Sequence, residues 1–144
     1  MTRTFISSAV CLVACIAFIS GCEQQVDNYE KANIKAKQIE ARLSLQALAT
    51  AQVGFFAISR GYGATFKEIG FSVVEENQRY TYFMGDDVLR GARYFDDLPD
   101  FLPPPEVTPT EFIAYAVANL DDDDDLDIWR VDQTHSVTMI SNDR

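Results

Sequence analysis

The sequence predicts an α+β domain in which a long N-terminal helix packs on a small antiparallel sheet of three to four strands. The stretch from Gln24 to about Arg60 contains no proline and is rich in Ala, Gln, Lys, Glu and Leu, a composition that favours one long helix. Later stretches alternate, or are rich in aromatic and β-branched residues, which favours strands. A helix followed by a run of strands predicts that the helix covers one sheet face.

Within the helix, apolar or small residues recur every three or four positions, which predicts a stripe that faces a partner surface. The stripe consists of Tyr29, Ala32, Ala36, Ile39, Leu43, Ala47, Ala51 and Phe55. Its first half is thin and lies between charged side chains, so we expect a polar stalk there. Leu45, Leu48, Val53 and Phe56 widen the second half, which we expect to be packed.

The strand predictions fall on four later stretches: 79–84, 111–120, 126–133 and 136–141. Three glycines with aromatic residues between them, in "SRGYGATFKEIGF", predict a connector of turns between the helix and the first strand. The region from Gly85 to Pro105 ends in three consecutive prolines and is expected to be an irregular surface excursion.

The chain has 144 residues and a formal net charge of −10. This length suits one small domain. The acidic balance argues against a nucleic-acid partner, because neutralising phosphates requires clustered Lys and Arg.

The N-terminus predicts a secretory signal peptide, since Arg3 is followed by an apolar run from Phe5 to Ile19. That run is shorter than the ~20 residues that cross a bilayer core. It ends at Ile19-Ser20-Gly21-Cys22, which resembles the lipobox of bacterial lipoproteins. The resemblance implies cleavage between Gly21 and Cys22, followed by lipid attachment at Cys22.

The cysteine count agrees with this interpretation. Cys11 and Cys15 lie in the apolar run, so cleavage would leave Cys22 as the only cysteine and no internal disulfide could form. Two or three acyl chains give stable membrane anchoring. Glu23, rather than aspartate, follows the cysteine, which points to the outer membrane. We therefore divide the chain into a signal peptide (1–21), a lipid-anchored polar helical stalk (22–40) and a globular domain (41–144).

Three stretches resemble the headgroup of type IV pilins and pseudopilins. They are "ARLSLQALATAQVGFFAISRGYGATFKEIGF", "RYTYFMG" and "FIAYAVANLDDDDDLDIWRVDQ", within residues 40–142. The resemblance implies a pilin-like fold. In pilins, however, the apolar helix remains after cleavage and a glutamate occupies the fifth mature position, where this chain has Val26. The resemblance therefore implies a pilin-like head on a lipid anchor.

Two functions from different classes follow. The first is an envelope lipoprotein that acts as a structural or interaction protein, with membrane lipid and envelope proteins as partners. The alternative is an accessory subunit of a type IV pilus or type II secretion system that retains its N-terminal apolar helix. The two hypotheses differ in the expected mature N-terminus: the lipoprotein begins at Cys22, whereas the pilus or secretion subunit keeps the apolar run.

A third hypothesis is a calcium-binding periplasmic module. Calcium takes six to eight oxygen ligands, and four alternating acids could supply several: Asp121, Asp123, Asp125 and Asp127. The glycine and the bidentate glutamate of the EF-hand loop are missing from this run. A solvated acidic turn between two strands is the competing interpretation.

No catalytic constellation is predicted, and we expect the protein not to be an enzyme. His135 is the only histidine. A zinc site would need a second imidazole or a thiol beside it. A Ser-His-Asp triad would need a serine close to this histidine, and no local arrangement of the sequence suggests one. Trp129 lies on an alternating strand and is expected to pack against the helix.

Overall fold

The computed structural model describes residues 5–73, 78–121 and 123–143, with side chains described at position 29 and from position 31 onward. The chain divides into two compact units, Met1–Lys35 and Ala36–Arg144. Helix α1 spans Phe5–Ser59. The second unit contains the part of α1 that begins at Ala36, together with all five strands.

The strands form one antiparallel sheet in the order β2-β1-β3-β4-β5. Their bounds are Thr81–Met84 (β1), Asp87–Leu89 (β2), Ile113–Ala118 (β3), Asp127–Asp132 (β4) and Thr138–Ser141 (β5). Strand β3 is central. Its Ala116 pairs with Tyr82 of β1 on one side and with Trp129 of β4 on the other.

The predicted fold is wrong in two respects. The sheet has five strands rather than three to four, because β2 lies in the region expected to be irregular. The long N-terminal helix packed on the sheet is not shown either, since only the segment Ala36–Ser59 belongs to the unit that contains the sheet. The buried apolar side chains of this segment begin at Ala41.

Strand β2 is formed by a two-residue turn. Gly85 has a φ of 57°, a left-handed conformation that glycine adopts without steric cost. Met84 and Asp87 then pair directly across the turn, as expected for a tight hairpin with glycine at the first turn position. The sequence signal is weak because β2 has only three residues.

The sheet face toward the helix is lined by small residues of β3. Ala114, Ala116 and Ala118 lie opposite Val131, Trp129 and Asp127 in register and therefore share one face with them. The α1 residues that are buried are Gln38, Ala41, Leu45, Leu48, Ala49 and Gln52. Leu45 and Leu48, which were predicted to widen the second half of the stripe, are buried, but the stripe itself is not, since Ile39 and Leu43 remain 56% and 62% exposed.

Two glutamines explain the error in the helix face. The Gln52 amide donates to the Gly63 carbonyl and accepts from its backbone N–H, both at 2.9 Å. Gln38 donates to Asp127 at 2.7 Å. Because both amides have buried partners, polar residues occupy the packed side of the helix at little cost.

The other sheet face is covered by the excursion after β2. Phe83, Tyr115, Val117 and Ile128 form a buried cluster with Leu102. Tyr94, Leu98, Ile113 and Leu126 pack against it. The segment expected to be an irregular surface excursion therefore contributes apolar side chains to the core, although most of it has no regular structure.

Candidate functional site

The acidic run lies in the loop that connects β3 to β4, and its carboxylates shape the loop. Asp121 accepts the backbone N–H of Asp123 at 3.0 Å, and Asp123 accepts that of Asp125 at 2.7 Å. These are successive Asx turns, in which a side-chain oxygen replaces a backbone acceptor two residues earlier. Asn119 also donates to the carbonyl oxygen of Asp123.

Two contacts from distant parts of the chain hold the start of this loop at Leu120. Lys37 on α1 donates to the Leu120 carbonyl oxygen at 2.7 Å. Asp143, beyond β5, accepts the Leu120 backbone N–H. The loop is thus fixed by the helix on one side and by the C-terminal segment on the other.

These contacts bring three carboxylates together. Asp121, Asp123 and Asp143 each place a carboxylate oxygen within 4.8 Å of the others. Asp143 is fully buried, Asp121 is half-buried and Asp123 is exposed. Burial raises the pKa of Asp143, whereas the hydrogen bond from the Leu120 N–H lowers it. The charges of Asp121 and Asp123, and a hydrogen bond with Asp121, raise it further. The group can hold a proton, or a hard cation that prefers oxygen ligands.

Asp127 belongs to a different environment, although the sequence groups it with the acidic run. It is fully buried on β4 and accepts hydrogen bonds from Gln38 and Tyr80, each at 2.7 Å, and from the Trp129 indole. Gln38 also donates to Asn142 at 2.7 Å. Asp127 therefore joins α1, the residue before β1, β4 and the C-terminal segment in one buried polar network.

The four acids predicted as calcium ligands are thus separated. Asp121 and Asp123 lie together, Asp125 is exposed outside the group, and Asp127 is occupied by its three donors. Sequence reasoning missed Asp143, which lies 18 to 22 positions after Asp121–Asp125 and reaches them only because β5 pairs with β4. The only sequence signal for it is an acidic residue just after the last strand.

An open cleft of about 690 Å³ lies beside this carboxylate group. Acidic and aromatic side chains line it together with one arginine, and they include Arg93, Tyr94, Phe95, Asp96, Asp123 and Asp124. Phe95 is 66% exposed. A cationic or hydrogen-bond-donating surface would suit such a lining better than an anionic one.

Other residues singled out in the sequence have structural roles or lie outside the described part. His135 is exposed in the β4–β5 turn with a φ of 61°. Trp129 is buried on the helix side of the sheet and donates to Asp127. Gly21 and Cys22, the predicted cleavage and lipidation residues, lie outside the residues whose side chains are described. No helix among the described residues has both the length and the apolarity needed to cross a bilayer.

No protein-family model matches this chain, and no curated protein matches it. The resemblances to the lipobox and to pilin headgroups therefore remain predictions that depend on the residues quoted above.

Proposed function

We propose that this protein is a membrane-anchored lipoprotein of the bacterial cell envelope, whose unit 36–144 acts as a structural or interaction head. The observation that carries the proposal is the sequence Ile19-Ser20-Gly21-Cys22 at the end of the apolar run. Acylation would cap the one thiol left after cleavage, and each buried CH₂ would add about 0.8 kcal/mol of membrane affinity. Glu23 favours the outer membrane.

The surface of the head is suited to a protein partner. Phe95 and Phe101 are 66% and 71% exposed, and both lie in the acidic excursion after β2. Exposed aromatic side chains among polar residues are common at interaction sites. The partner class is an envelope protein, including components of a pilus or secretion system.

Mass spectrometry of the N-terminal peptide from membrane fractions tests the anchor. We expect a peptide that begins at acylated Cys22, and its loss together with membrane retention in Cys22→Ser. Cys15→Ser is the matched control and should change neither. An unmodified Cys22 with residues 5–19 still attached would contradict the proposal and favour the accessory pilus or secretion subunit.

A second proposal is that calcium binding strengthens the head. It is favoured by the approach of Asp121, Asp123 and Asp143 to within 4.8 Å, since these carboxylates repel one another unless they share a proton or a cation. Carboxylate oxygens are the ligands that calcium prefers. Asp143 takes the place that the sequence assigned to Asp125 and Asp127.

Thermal unfolding with calcium tests this second proposal. Calcium at ten times its Kd should add about 1.4 kcal/mol to the free energy of unfolding, and Asp123→Asn should reduce the effect. Asp125→Asn changes the same charge in the same loop outside the group and should keep the effect. The absence of a shift at millimolar calcium, or an equal loss in both variants, would contradict calcium binding at this group.

A further inference from the structure

One side of α1 is apolar and exposed. We call it the outer helix face: Ala36, Ile39, Leu43, Ala47, Thr50, Gly54, Ala57 and Ile58, which recur about every three to four positions opposite the buried side. Ile39, Leu43 and Ile58 are 56%, 62% and 89% exposed. No atom lies within 4 Å of the position that a Cβ at Gly54 would take, so packing within the described chain does not require this glycine.

The charges of the chain are segregated around this face. Within the unit 36–144, residues 36–60 contain three basic residues and one acidic residue, a net of +2, whereas residues 61–144 contain six basic and eighteen acidic residues, a net of −12. Lys37 donates to the Leu120 carbonyl, whereas Arg42, next to Leu43, and Arg60, just after the end of α1, are exposed. Glu40 is neutralised by an ion pair with Arg79 at 2.7 Å.

We propose that the outer helix face docks on the anionic surface of a lipid bilayer, with the 36–59 segment of α1 lying in the interface. Apolar side chains of such helices enter the boundary between headgroups and acyl chains, while Lys and Arg are attracted to anionic lipids. The strongly acidic remainder of the unit is repelled and turns away from the bilayer. The inference rests on the proposed lipid anchor, which would hold the head at a membrane.

Charge favours a bilayer over a second copy as the occupant. Electrostatic interactions extend about 8 Å at physiological ionic strength, so the charges beside the face decide what it attracts. Arg42 and Arg60 attract anionic headgroups. The same face of a second copy would present the same two cations and repel them.

The test uses the full chain reconstituted into vesicles of phosphatidylcholine, with or without phosphatidylglycerol, and hydroxyl-radical labelling of side chains. We expect the labelling of Leu43 and Ile58 to fall at least about three-fold when phosphatidylglycerol is present, because lipid covers them. Phe101, exposed in the acidic excursion, is the internal control and should be labelled equally in both vesicles. Arg42→Glu should restore labelling, whereas Lys67→Glu, which makes the same change of charge at an exposed residue of the connector after α1, should not.

The outcomes separate docking from anchoring. An acylated Cys22 with Leu43 and Ile58 labelled equally in both vesicles would overturn the docking and leave the anchor. Protection of both residues by anionic vesicles with Cys22 unmodified would support the docking and contradict the anchor. A chain that floats with neither vesicle would overturn the docking. Protection of Leu43 and Ile58 that rises with protein concentration in the absence of lipid would also overturn it, in favour of a second copy as the occupant.

Discussion

Asp127 and Asp143 are both fully buried acids of the same unit, yet the fold treats them in opposite ways. Asp127 receives three neutral donors, from Gln38, Tyr80 and Trp129. Asp143 receives the backbone N–H of Leu120 and lies beside two more acids. A buried carboxylate costs free energy unless it is hydrogen-bonded or neutralised. The three donors meet that cost at Asp127, whereas the charges of Asp121 and Asp123 add to it at Asp143.

This difference separates a structural site from one that responds to the solution. Burial, and then the hydrogen bond to Asp127, raise the pKa of the Tyr80 phenol, so Tyr80 remains a donor throughout the physiological pH range. The environment of Asp127 therefore stays constant. The group around Asp143 changes its energy with pH, because burial and the neighbouring charges of Asp121 and Asp123 raise the pKa of Asp143.

The largest effect is expected from Asp127→Ala. It would leave the Tyr80 hydroxyl and the Trp129 indole N–H without an acceptor, each at about 1–3 kcal/mol, and Gln38 with Asn142 alone. We therefore expect the free energy of unfolding to fall by about 3 to 5 kcal/mol. Urea denaturation followed by tryptophan fluorescence measures it. The control is Asp125→Ala, an exposed acid two positions earlier, with a change within about 0.5 kcal/mol. Equal effects would mean that the network around Asp127 contributes nothing specific.

A smaller effect isolates one donor of that network. Tyr80→Phe removes the hydroxyl that Asp127 accepts and should cost about 1 to 2 kcal/mol. Tyr115 is also buried, but its hydroxyl has no hydrogen-bond partner among the described residues. Tyr115→Phe should therefore be neutral or slightly stabilising in the same urea titration. A greater loss from Tyr115→Phe would contradict the role assigned to the Tyr80 hydroxyl.

The local patterns of the sequence were informative, and its long-range polar contacts were not. Four of the five strands lie within stretches whose alternation or β-branched content predicts strands, because each pattern is set by neighbours along the chain. The buried side of α1 was misassigned because Gln38 and Gln52 appear solvent-facing until their partners are known. Those partners are 89 and 11 positions away.

The candidate site was predicted only in part for the same reason. Asp121 and Asp123 form a group, but its third member, Asp143, is supplied by strand pairing. Alternation along the acidic run cannot reveal that Asp127 already belongs to a strand, with its side chain on the buried face. The acidic run therefore includes two environments: the loop before β4, which holds Asp121 and Asp123, and β4 itself, which begins at Asp127.

The smallest effect is a dependence on pH that Asp143→Asn should abolish. Because the folded state raises the pKa of Asp143, that state binds the proton more tightly than the unfolded chain, for which the pKa is 3.8. The contribution of Asp143 to stability is therefore greatest below pH 3.8 and falls as the pH rises through the raised value. Asn keeps an acceptor for the Leu120 N–H but carries no charge, so Asp143→Asn should be more stable than the parent protein at neutral pH, and this gain should disappear in acid. Urea titrations at several pH values, without calcium, measure this difference. A difference in the free energy of unfolding that stays constant across the pH range would contradict the raised pKa of Asp143.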